Sequence, residues 1–177
     1  MPTAFTDRWR EDYRRGGFDR ETIRSAIWEI GLSGGTAVYV SGNENGGYLT
    51  ENYSIDFKAA PECGYAARFF RTHVCNFGKL YPHDELVTFS KRAILSANPG
   101  VEYVAYLPFG GPIAINISDA SGMLNYRWYN PKRGTYHSEW SVVARSIQTF
   151  NPPDSDDWVL HITKILPSDI SHIQESQ

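Results

Sequence analysis

The sequence predicts an α+β protein in which a short helix–strand–helix N-terminal part is followed by an antiparallel β-sandwich. Two observations carry this prediction. From Lys91 to Ile165, short runs of β-branched and aromatic residues alternate with turn clusters at close, fairly regular spacing, as in a small antiparallel sandwich or barrel. Before that stretch, a helical pattern leads through glycines into an apolar β-forming run, which is half of an α/β repeat.

The N-terminal part contains two predicted helices around one strand. Asp19 is a suitable N-cap for the first helix, which Gly31, Gly34 and Gly35 are expected to end. Its apolar face is formed by Thr22, Ile23, Ala26, Ile27 and Ile30, widened by Trp28. Residues 36–42 form the strand, whose lack of polar residues in its middle suits a parallel strand buried on both faces. A long loop rich in Gly, Asn and Tyr follows, and the second helix is predicted over residues 64–77.

The sandwich is predicted from its turns as much as from its strands. Clusters of Pro, Gly, Asn and Asp, such as Asn98-Pro99-Gly100, separate the apolar runs. The predicted strands are 91–97, 102–107, 112–117, 123–130, 134–140, 146–150 and 157–164. We divide the chain into an α/β segment (1–85), a sandwich (86–166) and a polar tail (167–177).

Composition argues against several classes of protein. The formal net charge is −3 and the arginines of residues 8–15 alternate with acidic residues, so nucleic acid is not an expected partner. Two cysteines without a CxxC motif or a histidine pair give no metal site, and no phosphate or dinucleotide fingerprint indicates a cofactor. We find no signal peptide and no apolar run long enough to cross a membrane, which would make a complete chain cytoplasmic.

Aromatic residues supply the candidate binding positions in the sandwich. Trp128 and Trp158 lie within strand patterns and are expected in the core. Tyr136 and Trp140 stand among polar residues, and as an exposed pair they would suit a carbohydrate-binding face, although core packing is the commoner use of aromatic residues. Carboxylates in or beside the long loop, such as Glu62, are expected to be solvated rather than to form an acid–base pair.

Four ordered motifs resemble a known family. They are Tyr103–Pro108 (YVAYLP), Trp128–Gly134 (WYNPKRG), Phe150–Pro153 (FNPP) and Asp157–Leu160 (DWVL). They are similar to the C-terminal domain labelled "putative collagen-binding" in bacterial glycoside hydrolases, which include apiosidase-like enzymes with a (β/α)8 barrel. More weakly, residues 23–43 resemble the last helix–strand unit of such a barrel, so the N-terminal part would be the remnant of a barrel end.

The resemblance implies a non-catalytic fragment. In the family, the catalytic carboxylates come from earlier barrel strands that this chain does not match. The resemblance also places Tyr39, Asn43, Glu44 and Tyr48 at the C-terminal end of the last barrel strand, where barrel enzymes hold substrate. Three hypotheses follow: a glycan-binding accessory part, a subunit that completes a split hydrolase with an N-terminal barrel polypeptide, and a protein-interaction module without glycan affinity. A second copy of the chain is another partner that could cover the unpaired strand.

Overall fold

The computed structural model describes residues 4–5, 19–37 and 59–165. Its helices are α1 (Arg20–Leu32) and α2 (Ala59–Thr72), with 3-10 turns at Phe77–Lys79 and Asp84–Leu86. Its strands are β1 (Ala4–Phe5), β2 (Thr36–Ala37), β3 (Tyr81–Pro82), β4 (Val87–Phe89), β5 (Ile94–Asn98), β6 (Glu102–Leu107), β7 (Ile113–Asn116), β8 (Met123–Asn130), β9 (Thr135–Val143), β10 (Ile147–Phe150) and β11 (Trp158–Lys164). The predicted α+β class is confirmed.

Two antiparallel sheets form the sandwich. The larger has six strands in the order β3-β5-β6-β11-β8-β9, and the smaller has three in the order β10-β7-β4. All seven predicted sandwich strands are present, each within three residues of its predicted bounds. Strands β3 and β4 were missed, because they are two and three residues long and one contains Pro82. Both lie at sheet edges, where a residue without an N–H donor is tolerated.

The core of the sandwich lies between these sheets. It is built from alternate residues of each strand, such as Leu95 and Ala97 on β5 and Leu160 and Ile162 on β11. Trp128 and Trp158 are both buried there, as predicted. The opposite face of the six-stranded sheet is therefore left for another layer.

Helices α1 and α2 supply that layer. Trp28 and Phe69 pack against Tyr106 and Tyr129 of the sheet, and the four rings lie in edge-to-face, tilted or stacked contacts with centroids 4.9–6.0 Å apart. The hydroxyl of Ser96 on β5 donates to the carbonyl of Leu32, which satisfies a group at the end of α1. The helices and the larger sheet thus share one apolar core.

The ends of α1 follow the sequence closely. Asp19 is the N-cap, and its Oδ1 accepts a 2.7 Å hydrogen bond from the Thr22 N–H. Gly34, at φ 75°, forms a Schellman ending in which its N–H and that of Gly35 bond to the Gly31 and Ile30 carbonyls. Gly31, in contrast, does not end the helix: it lies in the last turn, where a β-carbon would come within 2.7 Å of the Phe70 ring. That glycine allows α2 to approach α1 closely.

Helix α2 begins and ends earlier than predicted. It starts at Ala59 although Pro61 follows, because a proline in the first turn replaces an N–H that has no intrahelical partner. It ends at Thr72, and the Cys75 N–H then donates to Glu102 on the sheet instead of continuing the helix. Of the predicted strand 36–42, only Thr36 and Ala37 lie within the described residues. They pair in parallel with β1, and Thr36 is exposed rather than buried.

Candidate functional site

A buried ionic cluster joins α1, α2 and the sandwich. The Arg24 guanidinium donates to both oxygens of Asp157, with Nε 2.6 Å from Oδ2 and Nη2 3.2 Å from Oδ1. Its Nη1 lies 2.9 Å from Glu62 Oε2, and Arg20 Nε lies 2.6 Å from Glu62 Oε1. Arg24, Glu62 and Asp157 are all buried. The contact between Arg24 and Asp157 is bidentate: two nitrogens of the guanidinium each donate to one of the two carboxylate oxygens, which is a strong form of ion pair.

This cluster overturns one expectation from the sequence. Glu62 was expected to be solvated beside the long loop, yet it lies buried on α2. One feature of the sequence could have indicated a carboxylate partner for α1: Arg20 and Arg24 are four residues apart and therefore lie on one face of the helix. Burial opposes the charge of Arg24, but the hydrogen bonds and charges of Asp157 and Glu62 raise its pKa above the usual range.

A groove, here called the α1 groove, opens above the cluster between α1 and the loops that precede β7 and β11. Its cavity measures about 650 Å³. Four carboxylates and four cations line it: Glu21, Glu29, Asp156 and Asp157 against Arg24, Lys91, Arg92 and Lys132. The Tyr106 hydroxyl donates to Asp157 Oδ2 over 3.0 Å and lies 3.0 Å from Ser25 Oγ, which fixes the floor of the groove.

An exposed aromatic ring stands at the rim of this groove. Phe109 is 52% exposed, and Lys91 Nζ and Arg92 Cζ lie 5.4 and 5.9 Å from its ring centroid. The next residue, Gly110, has φ 56°, and a β-carbon there would lie 2.6 Å from the Asp156 carbonyl oxygen. The turn that carries Phe109 therefore rests directly on the backbone of the loop before β11.

The predicted aromatic pair is separated by a β-bulge. In the pairing of β8 with β9, Tyr129 faces Tyr136 and Arg127 faces Glu139, so two residues of β9 oppose the single residue Trp128. Tyr136 consequently points to the helical layer, while Trp140 points to the other face of the sheet and stacks on Tyr126 at 5.4 Å. The structure does not bring Tyr136 and Trp140 together.

Tyr136 belongs to a hydrogen-bonded chain under α2. Its hydroxyl lies 2.7 Å from His161 Nδ1, and His161 Nε2 lies 2.8 Å from Glu102 Oε1. Because the Glu102 carboxylate only accepts, Nε2 of His161 carries the hydrogen of that bond. Burial raises the pKa of Tyr136, whereas the hydrogen bonds from His161 and the Cys75 N–H outweigh the burial of Glu102 and lower its pKa. Tyr136 is half-buried, so it does not form with Trp140 the exposed pair that would suit a carbohydrate-binding face.

Trp140 keeps the accessibility expected from the sequence. It is 38% exposed on the edge strand β9, beside His137, whose ring stacks at 5.8 Å and 17°. The bulge brings these two residues to one face although they are three apart. The exposed part of the indole offers apolar area against which a ligand can pack.

The remaining predicted positions fall in the long loop. Tyr39, Asn43, Glu44 and Tyr48 lie outside the described residues. Within residues 19–37 and 59–165, no group of three or more His, Cys, Asp or Glu side chains is arranged to hold a metal ion. Neither α1 nor α2 has the length and apolar character needed to span a membrane.

Comparisons with known proteins agree with the fold. The family model described as "Putative collagen-binding domain of a collagenase" matches residues 88–163. A solved structure titled "Glycoside hydrolase" is 17% identical, with a TM-score of 0.67 over 87% of this chain and 39% of that chain. A glycoside hydrolase family 5 protein from Bacteroides vulgatus ATCC 8482 is 16% identical, with a TM-score of 0.68 over 92% of this chain and 42% of that one. No curated protein matches the chain.

These matches define a class of fold rather than an activity. The sandwich makes up less than half of the chain, so structural matches over 87–92% of the chain include the helical layer. The chain spans about two-fifths of the length of both glycoside hydrolase structures. It therefore shares the fold of one part of these proteins, a β-domain together with the helices packed on it.

Proposed function

We propose that this chain is a non-catalytic accessory part of a glycoside-hydrolase-like protein, with a sandwich that binds carbohydrate. Residues 1–85 would be the end of a (β/α)8 barrel, and residues 86–166 the accessory domain. One observation carries the proposal: α1 and α2 are joined to the sandwich by a shared apolar core and by the Arg24 cluster. Such a contact would hold a barrel against its accessory domain.

Carbohydrate binding is assigned to the exposed part of the Trp140 side chain. A flat indole on an edge strand offers apolar area to the C–H face of a sugar ring, while the exposed His137 ring on the same face can bond to hydroxyls. Plant polysaccharides are the first ligands to test, because the sequence resembles apiosidase-like glycoside hydrolases.

Affinity electrophoresis in gels containing xylan, arabinogalactan or rhamnogalacturonan tests this assignment. We expect retardation of the wild-type chain and its loss in Trp140→Ala. Phe89→Ala is the matched control, because Phe89 is a 61% exposed aromatic residue on the smaller sheet. Equal mobility of all three proteins with every polysaccharide would favour a protein-interaction module without glycan affinity. Hydrolysis of aryl glycosides by the purified chain would contradict the non-catalytic role.

A second candidate function is completion of a split hydrolase, and the small parallel sheet favours it. Strands β1 and β2 pair only with each other among the described residues, over Ala4↔Thr36 and Phe5↔Ala37. Parallel sheets are normally covered on both faces and extended by further strands, as in a closed barrel. The solved structures contain more than half of their length beyond the part that matches this chain.

Mixing experiments separate this function from the first. The gene neighbourhood would be searched for a polypeptide that encodes the preceding barrel units with two strand-end carboxylates. Co-expression should give a stable complex and glycosidase activity that neither chain has alone. Absence of a complex between the two purified chains at micromolar concentration would rule out the split enzyme.

A further inference from the structure

We propose that the α1 groove binds a small neutral saccharide, at a site separate from the Trp140 surface. The inference rests on the proposed carbohydrate-binding function and extends it by naming a second site and the charge class of its ligand. The groove lies on the helical side of the six-stranded sheet, whereas Trp140 stacks with Tyr126 on the side of the smaller sheet. A ligand in one site does not touch the other.

The charge balance of the groove determines the ligand class. The carboxylates of its lining are equal in number to its cations, and several are already paired with each other. Lys132 Nζ lies 3.1 Å from Asp156 Oδ1 and Arg92 Nη2 lies 3.2 Å from Glu29 Oε1. An anionic or cationic ligand would meet like charges at close range, whereas hydroxyl groups can donate to carboxylates and accept from ammonium and guanidinium groups.

The floor of the groove is rigid before any ligand arrives. Arg24 is held by two buried carboxylates, and Tyr106 and Ser25 are bonded to one another beside Asp157. Charged hydrogen-bonding groups that are fixed in this way lose little conformational freedom on binding. This is the arrangement of a preformed polar site rather than of a surface that must be ordered by its ligand.

The rim and the size complete the description. Phe109 places an accessible ring at the mouth of the groove, and Gly110 anchors that ring by its close contact with the Asp156 backbone. The cavity of about 650 Å³ lies within the range of about 300–1,000 Å³ that small-molecule sites occupy. A ligand of one or two sugar rings suits this volume.

Titration of the ¹⁵N-labelled chain with xylobiose, cellobiose and mannobiose, each followed by amide chemical shifts, tests the inference. We expect at least one of these disaccharides to shift the amides of Ser25, Phe109 and Asp156. Phe109→Ala and Asp156→Asn should weaken that binding about tenfold or more, while Trp140→Ala leaves it unchanged. All three side chains are exposed, so the variants should keep the wild-type spectrum elsewhere.

Each of the other outcomes would overturn a specific component of the proposal. Disaccharide binding that is lost in Trp140→Ala but kept in Phe109→Ala would overturn the groove and leave the proposed function standing. Tighter binding of digalacturonate than of every neutral disaccharide would overturn the charge class. Retardation by polysaccharide gels without any shift at the groove would overturn the second site alone, and failure of both assays would overturn carbohydrate binding as a whole.

Discussion

At the scale of single residues, Arg24 connects three elements that are far apart in the chain. Replacing it with methionine removes the only buried cation between Glu62 and Asp157 among the described residues and leaves these buried carboxylates under-compensated, so we expect Arg24→Met to lower the free energy of unfolding by about 3–5 kcal/mol. Urea denaturation at pH 7 measures this loss. Arg92→Met is the control, because its ion pair with Glu29 is more exposed and contributes about 0–1 kcal/mol. Equal losses would contradict the role given to the buried cluster.

Glu102 gives a second residue-scale prediction, which concerns pH. Its folded-state pKa is lowered from the usual 4.5, so its contribution is present in full above that value and is lost as pH falls through the folded pKa. We expect Glu102→Gln to lower the free energy of unfolding by about 1–3 kcal/mol at pH 7. The difference in free energy of unfolding between the wild type and Glu102→Gln should decrease as pH falls below about 4.5. Urea denaturation curves between pH 2.5 and 7 provide the test, and a difference that increases in acid would refute it.

At the scale of elements, substitutions at two glycines test the effect of backbone conformation in the absence of any steric clash. A β-carbon at either Gly34 or Gly64 would meet nothing within 4 Å, but Gly34 has φ 75° at the end of α1, whereas Gly64 lies inside α2. We therefore expect Gly34→Ala to destabilise the protein by about 1 kcal/mol and Gly64→Ala to stabilise it by about 0.5–1 kcal/mol. Thermal unfolding followed by circular dichroism measures both, and shifts of the same sign would contradict the assignment.

Elements were predictable where local chemistry marks their ends. The turn glycines Gly100, Gly111, Gly122 and Gly134 all have positive φ, and the strands between them were found from sequence for that reason. Strands β3 and β4 are too short to show alternation. The start of α2 was missed because the residues before Gly64 were assigned to the long loop, although Pro61 in the first turn is compatible with a helix.

At the scale of the whole molecule, the helical layer and the sandwich should unfold together. Trp28 and Phe69 bury the outer faces of Tyr106 and Tyr129, so losing the helices would expose these rings to water. We expect urea unfolding monitored by helical circular dichroism and by tryptophan fluorescence to give coincident transitions. A helical signal that is lost at lower urea concentration would instead indicate two independent units.

The candidate sites lie beyond the reach of local patterns, because their residues meet only in three dimensions. Arg24 and Asp157 are 133 residues apart, and Arg24 and Glu62 are 38 apart, so no spacing rule connects them. Tyr136 and Trp140 were grouped by their polar neighbours and short separation, and the bulge in β9 sends them to opposite faces. The sequence offered these two residues as an exposed pair, and in the structure Trp140 is exposed whereas Tyr136 is half-buried.

That bulge also makes β9 one residue longer than its pairing partner requires. Removing Ser138 would leave Tyr136 opposite Tyr129 and Glu139 opposite Arg127, with a single residue facing Trp128. Related chains can therefore differ by one codon at this point and still present the same residues to each side of the sheet. In an alignment of such chains, a gap here would mark a change in strand length and not a change of fold.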